Sequence, residues 1–258
     1  CYTGSDANFT NIIVKNNICK HGNGVFTSYS APVFINSLFY SNESNFEYGC
    51  GGAVRVYIHS TPEFINCTFT NNTTVYGAAI YCDDISSVPT VTNCILWGNT
   101  SSYNLELYAT NTYDPPVVTY SNIEDGVNQF WFNETCIDQD PLFLDQKNFY
   151  YNIQENSPCI NTGDPDISGM GLPAFDIIYN PRISNDTIDM GAYEYQYEIV
   201  LVEEIEVIGE GGVTTITEQY GTLQMLAEVL PENAENKSVT WSISAGEEYG
   251  SINQDGIL

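Results

Sequence analysis

Arg55 with His59, and the adjacent carboxylates Asp83 and Asp84, are the residues of this chain whose types and spacing could act on a glycosidic bond. Paired carboxylates flanking a scissile bond are what acid–base hydrolysis of a sugar polymer requires. An arginine and a histidine, backed by calcium on nearby acids, could instead draw a proton from beside a uronate, which is lyase chemistry. Each has a plainer reading: Asp83 and Asp84 as a solvated turn, Arg55 as part of an exposed cation–π and ion-pair row. Recognition is the third possibility. Phe26, Tyr57, Tyr81 and Tyr108 offer flat faces of the kind that stack on sugar rings, while Arg55, Asp83 and Glu106 could hydrogen-bond hydroxyls. The same tyrosines could equally be cross-strand packing.

Further along, Asp138, Asp140, Asp164 and Asp166, with Asp145, Asp176, Asp186 and Asp189, supply hard oxygen atoms suited to calcium. They form no Asp-x-Asp-x-Asp-Gly loop, and no other cofactor is suggested. Arg182, close in sequence to Asp189 and Glu194, reads as a partly buried ion-pair knot. Eight cysteines without a CxxC pair give neither a zinc nor a redox motif, and Cys19 and His21 lack further ligands.

Composition narrows the partners. Thirty-three acids against six bases leave a formal charge of −27, which repels phosphate backbones and anionic membrane surfaces. No stretch reaches the roughly 18 apolar residues of a membrane span. Acid is denser after residue 199, which suggests a domain boundary there. The chain opens on Cys1 and enters a repeat almost at once, as expected of a piece of a longer protein with further domains at both ends.

The elements that must position these side chains follow from that repeat. Phe9-Thr-Asn11 to Asn17, Phe34-Ile-Asn36 to Asn42, Phe64-Ile-Asn66 to Asn72 and Val91-Thr-Asn93 to Asn99 align, with a degraded copy at Val118-Thr-Tyr120. A unit of about 27 residues, rich in β-branched and aromatic side chains and lacking a 3.6-residue apolar period, predicts the coil of a β-solenoid. Stacking at about 4.8 Å per coil makes Phe9, Phe34, Phe64, Val91 and Val118 one buried column, and Val14, Phe39, Phe69, Leu96 and Ile123 another. The asparagines fall at turns, where amides ladder from coil to coil and tolerate left-handed backbone. A further strand per coil is expected at 24–28, 52–57, 78–83 and 104–108. Its inward pairs are Val25/Thr27, Val54/Val56, Ile80/Cys82 and Leu105/Leu107. Outward go Phe26, Arg55, Tyr81 and Glu106 in one row and Ser28, Tyr57, Asp83 and Tyr108 in the next.

Gly51-Gly-Ala-Val and Pro62-Glu-Phe-Ile-Asn-Cys-Thr-Phe-Thr-Asn-Asn72 resemble right-handed parallel β-helix proteins, including chlamydial polymorphic outer-membrane repeats, over residues 1–126. Tyr120-Ser-Asn-Ile, Asp140-Pro-Leu-Phe143, Ser157-Pro-Cys-Ile-Asn-Thr-Gly-Asp-Pro165, Asn180-Pro-Arg182 and Ile188-Asp-Met-Gly-Ala-Tyr-Glu194 resemble the choice-of-anchor Q region that ends many secreted bacterial β-helices. That resemblance implies a cap over residues 127–198. In that family an Asp-Gly precedes Asn-Pro-Arg, whereas Ile178 and Tyr179 stand here, which weakens a calcium reading of the loop. Val202-Glu-Glu-Ile-Glu-Val, Gly221-Thr-Leu-Gln224 and Pro231 to Ile243 resemble a group 2 bacterial immunoglobulin-like domain, incomplete over 199–258, with Trp241 as its core anchor.

The expectation is therefore an all-β chain: a right-handed parallel β-helix, a C-terminal cap and an incomplete immunoglobulin-like sandwich. Extracellular or bacterial cell-surface placement and adhesion to a polysaccharide or host glycan go with that architecture. A fragment of a polysaccharide lyase or glycoside hydrolase, and a purely structural spacer, are the alternatives. Five short coils favour a non-catalytic element.

Overall fold

The computed structural model describes the chain except residues 20–23, 45–50, 83, 104, 186, 198–200, 233, 235–236 and 246–247. Two compact units form, Cys1–Gln196 and Tyr197–Leu258. The first is a parallel β-solenoid of about four turns, and helix among the described residues is confined to single turns at Gln146–Asn148 and Glu210–Gly212. No helix among the described residues is long and apolar enough to cross a membrane.

Three parallel sheets run along the solenoid, beside a short parallel pair of Thr73–Thr74 with Thr100–Ser101. Sheet one stacks Asn8–Thr10, Val33–Ile35, Glu63–Ile65, Thr90–Thr92 and Val117–Thr119. Sheet two stacks Ile13–Lys15, Leu38–Tyr40, Thr68–Thr70, Ile95–Leu96 and Asn122–Ile123. Sheet three stacks Val25–Ser28, Val54–Tyr57, Ile80–Cys82 and Leu107–Ala109. The strands are three or four residues long at most because each turn of coil must bend twice more before it closes.

The two apolar columns stand as the spacing predicts. Phe9, Phe34, Phe64, Val91 and Val118 are successive register partners in sheet one. Val14, Phe39, Phe69, Leu96 and Ile123 are partners in sheet two. Phe34 and Phe64 stack at 5.3 Å between centroids and 10° between planes, and Phe39 and Phe69 at 4.5 Å and 6°. The columns meet edge to face, Phe64 against Phe69 at 80°, so each ring is used on both its face and its edge. Burying such a ring stabilises the coil by roughly 2–3 kcal/mol.

The turns are held by asparagine. Asn11, Asn36, Asn66 and Asn93 each have φ between 48° and 58°, the left-handed region that asparagine enters more cheaply than most residues. At the other corner the left-handed position is Asn16, Ser41, Asn71 and Gly98, and the next residue, Asn17, Asn42, Asn72 or Asn99, forms the ladder. The side chain of Asn42 donates to Oδ1 of Asn72 at 2.9 Å and that of Asn72 to Oδ1 of Asn99 at 2.7 Å. Each Oδ1 also accepts the backbone amide of the asparagine above it, and each Nδ2 also reaches a strand carbonyl. Donors and acceptors are thus all satisfied at zero exposure for Asn42 and Asn72. Gly52 lies inside this corner: a Cβ there would stand 2.1 Å from the carbonyl oxygen of Ala78, so the coil spacing admits no side chain.

Beyond residue 126 the chain does two things. Trp131 and Cys136 join the solenoid core, and Asn133 donates to the carbonyl of Val118 at 2.6 Å. The chain then runs back along the outer face of sheet two. There Phe143, Tyr151, Ile153, Cys159, Met190, Ala192 and Tyr193 form a second core with Leu38 and Ile95. Gly191, at φ 93°, donates to the carbonyl of Asn93 at 2.7 Å, and a Cβ on it would meet Ile95 and Thr68 at 2.8 Å.

In the second unit Glu204–Gly209 pairs antiparallel with Met225–Leu230. Among the described residues of 237–243 no strand forms, and Trp241 is half-buried. Beside this two-stranded sheet, Gln224 and Ile257 form an isolated antiparallel bridge, with Leu223 and Leu258 exchanging backbone hydrogen bonds.

Candidate functional site

The outward face of sheet three gathers most of the sequence-predicted binding residues. Register places Phe26, Arg55, Tyr81 and Tyr108 in one row across the four strands, and Ser28 beside Tyr57 in the next. The guanidinium carbon of Arg55 lies 4.7 Å from the centroid of Tyr57, 5.7 Å from Tyr81 and 5.9 Å from Phe26. Tyr81 and Tyr108 stack at 5.2 Å and 19°. Each ring contact of this kind contributes about 0.5–1.5 kcal/mol beyond its buried area, and the arginine about 0.5–1 kcal/mol where solvent reaches it.

Three further rings extend the strip. Tyr76 stacks on Tyr103 at 4.8 Å and 17°, with Tyr76 also against Tyr81 and Tyr108. Tyr2 packs on Phe26 at 5.6 Å. Sequence reasoning passed over them although Tyr76 and Tyr103 are separated by the same 27 residues that relate the repeats. The strip is continuous from the first coil to the fourth, but its middle is shared among the rings themselves: Tyr81 is 8% exposed, whereas Tyr103 and Tyr2 are 55% and 67% exposed.

Three expectations for this face need correction. Glu106 is not in the outward row. It is 4% exposed, and its carboxyl accepts the side chain of Asn99 at 2.6 Å and the backbone amide of Asn99 at 3.0 Å. Leu107, not Leu105, lies beneath Ile80, and Ala109 beneath Cys82. The fourth strand is set two residues later in register than alternation suggested, with the carboxyl of Glu106 drawn into the asparagine ladder and Tyr108 in the row of Tyr81. The 27-residue spacing already pointed to Leu107 under Ile80. Finally, His59, which alternation would set two outward positions beyond Arg55, leaves the sheet. It has φ 49°, receives a ring contact from Tyr29 at 5.3 Å, and its amide donates to Ser86 Oγ at 3.0 Å.

Asp83 lies outside the described residues. Asp84 is turned onto Ser86, whose amide and hydroxyl it accepts. Burial acts to raise its pKa but is outweighed by these bonds and by His59, leaving it below the ordinary carboxylate value.

The four calcium candidates are not brought together. Asp138 accepts the amide of Val127, Asp140 that of Leu142, Asp164 that of Asp166, and Asp166 that of Ser168. Asp140, Asp164 and Asp166 thus each serve their own turn, and Asp138 ties down a separate segment. Among the described residues no group of three or more His, Cys, Asp or Glu side chains converges as a metal site would need.

Arg182, Asp189 and Glu194 do converge, with Asp176, all at 3% exposure or less. Arg182 Nη1 stands 3.6 Å from Glu194 and donates to the carbonyl of Gly191, while Nη2 donates to that of Ala192. Burial and the charge of Asp189 push the Glu194 carboxyl up to about 8 against the pull of Arg182. Burial pushes Asp189 up to about 6, although it accepts the amides of Asn161 and Tyr195. This cluster fastens Gly191 and Ala192 to the flank of sheet two.

No family model matches the chain, and no solved structure matches it. A stretch of 57 residues is 47% identical to the tail tube protein pb6 of Escherichia phage T5, covering 22% of this chain and 12% of that protein.

Proposed function

We propose that this chain is part of a secreted or surface-displayed β-solenoid protein whose sheet-three face binds carbohydrate. The observation that carries the reading is the run of rings from Tyr2 to Tyr103 with Arg55 at its centre. Coil spacing of about 4.8 Å sets successive rings at roughly the length of one sugar residue, so an extended glycan would lie along the solenoid axis. In this reading the helix is right-handed, residues 127–198 act as a cap of the choice-of-anchor Q kind, and residues 199–258 serve as an immunoglobulin-like spacer to further domains.

The likeness to a phage tail tube protein supports a second reading, a structural element of an extracellular particle or surface in which the aromatic face is packing alone. A glycan array separates the two. The carbohydrate reading expects the parent chain to bind, and Tyr57→Ala and Tyr103→Ala to weaken binding at least tenfold. A parent chain that binds no glycan overturns it and leaves the structural reading.

A further inference from the structure

The asparagine ladder ends on a different chemistry from the one that builds it. Asn17, Asn42, Asn72 and Asn99 bond in series, and the repeat spacing puts Gly126, which has no side-chain amide to offer, at the next step. The position is filled from the fourth coil itself by Glu106, whose two oxygens take the backbone and side-chain donors of Asn99. Behind it stands Glu124, which accepts the amide of Gly98 at 2.7 Å through Oε2 and whose carboxyl is within hydrogen-bond reach of that of Glu106. Two carboxyls can hydrogen-bond each other only when one carries a proton. The pair opens on a polar recess of about 160 Å³ lined by Asn99, Thr100, Leu105, Glu106, Glu124 and Asp125, which gives water and protons access.

We propose that Glu106 and Glu124 share a single proton that latches the end of the asparagine ladder, and that loss of this proton releases the turn carrying Tyr103. The titratable groups facing Glu106 are Glu124 and, across the recess, Asp125; both are acidic, and among the described residues no cation lines the recess to hold the doubly ionised pair. Burial raises the Glu106 carboxyl to about 8, against the opposing bonds from Asn99 and with Glu124 adding to the rise. A carboxyl that titrates near 4.5 when released and near 8 when latched binds one proton more in the latched state across that interval. Latching is therefore complete below about pH 4.5 and is lost as pH rises to about 8. Tyr103 lies between Thr100 and Glu106 and stacks on Tyr76, so the latch sets one end of the aromatic strip whether or not that strip binds a glycan.

Amide hydrogen exchange, corrected for intrinsic rate, reads the latch directly at Gly98 and Asn99, whose backbone donors end on the two carboxyls. In the parent chain protection at these amides should fall about tenfold per pH unit between pH 5 and 8 and level off above. In Glu106→Gln, which keeps one of the two acceptor oxygens for Asn99 and gives Glu124 a permanent donor, the slope should vanish. Glu124→Gln provides the second arm: its amide donates to an ionised Glu106, so protection should stop falling well below pH 8. A flat profile in the parent, or the parent's slope unchanged in either variant, overturns the proposal.

Discussion

The outer faces of sheets two and three begin from the same coil and end differently. Both carry aromatic and aliphatic side chains pointing away from the core, but that of sheet two is covered by residues 139–195 of the same chain. Leu38 and Ile95 are sealed under Met190 and Ala192, and Tyr40 is held by Tyr151 and Phe149. Where that cover ends, in the first coil, Ile13 is 54% exposed. On sheet three the outward rings are covered by one another and by Arg55. The lesson is that the repeat fixes which side chains point outward, while exposure is decided by where the following, non-repeating chain lies. Sheet two is buried on both faces and behaves as core; sheet three is left without such a cover.

The sharpest way to break the comparison is to strip the cover from sheet two. Arg182→Ala leaves Asp176, Asp189 and Glu194 buried at 3% exposure or less without their cation. Removing one partner from a buried charge cluster costs about 3–5 kcal/mol. Urea unfolding should show that loss, and new fluorescent-dye binding at neutral pH should report Leu38 and Ile95 exposed as the segment lifts. A variant as stable as the parent would mean that the apolar contacts of Phe143, Tyr151 and Met190 alone hold the segment down.

How much of this was legible before the structure follows the same division. The columns of Phe34, Phe64 and Val91 could be read because coils of near-constant length must superimpose like positions. The left-handed asparagines could be read because few other side chains tolerate that backbone. The register of the fourth strand was misread because Leu105 and Leu107 both satisfy alternation and only the 27-residue spacing from Ile80 selects Leu107; the entry of the Glu106 carboxyl into the ladder is a side-chain event with no period. The cover on sheet two was invisible for a related reason: residues 139–195 have neither alternation nor repeat. Its trace lay instead in the solenoid, where apolar Leu38 and Ile95 flank apolar Phe39 and Leu96, the mark of strands buried on both sides. The site was legible as a set of residue types and incompletely as a place, since Tyr2, Tyr76 and Tyr103 lie outside the regular strands.

The middle-sized effect distinguishes the two regions by pH. Glu194 beneath the cover and Glu106 at the ladder end are both raised from 4.5 to about 8. A raised acid stabilises the folded chain fully below its unfolded value and loses that contribution as pH climbs to the folded value. Stability should therefore fall between pH 5 and 8 by up to about 1.4 kcal/mol per pH unit for each group. Above about pH 6, where Asp189 no longer adds to it, Glu194→Gln should remove about half of that slope, and Glu106→Gln the other half. A slope untouched by Glu194→Gln would assign the pH dependence to general charge repulsion in a chain of formal charge −27 rather than to the cover.

The smallest effect tests whether sheet three is held by its own side chains. Arg55 lies 4.7 Å from the Tyr57 ring centroid, and both are only half-buried, so solvent weakens the contact and a double-mutant cycle of Arg55→Ala and Tyr57→Ala should give a coupling of about 0.5–1 kcal/mol. Each single variant should cost under about 1.5 kcal/mol, since neither side chain reaches the columns of Phe34 and Phe39. A face that tolerates such losses is free to be selected for what it contacts outside the molecule; sheet two, which would lose its cover, is not. Coupling several times larger would place Arg55 and Tyr57 in the same structural class as Arg182 and Glu194, and the asymmetry between the two faces would disappear.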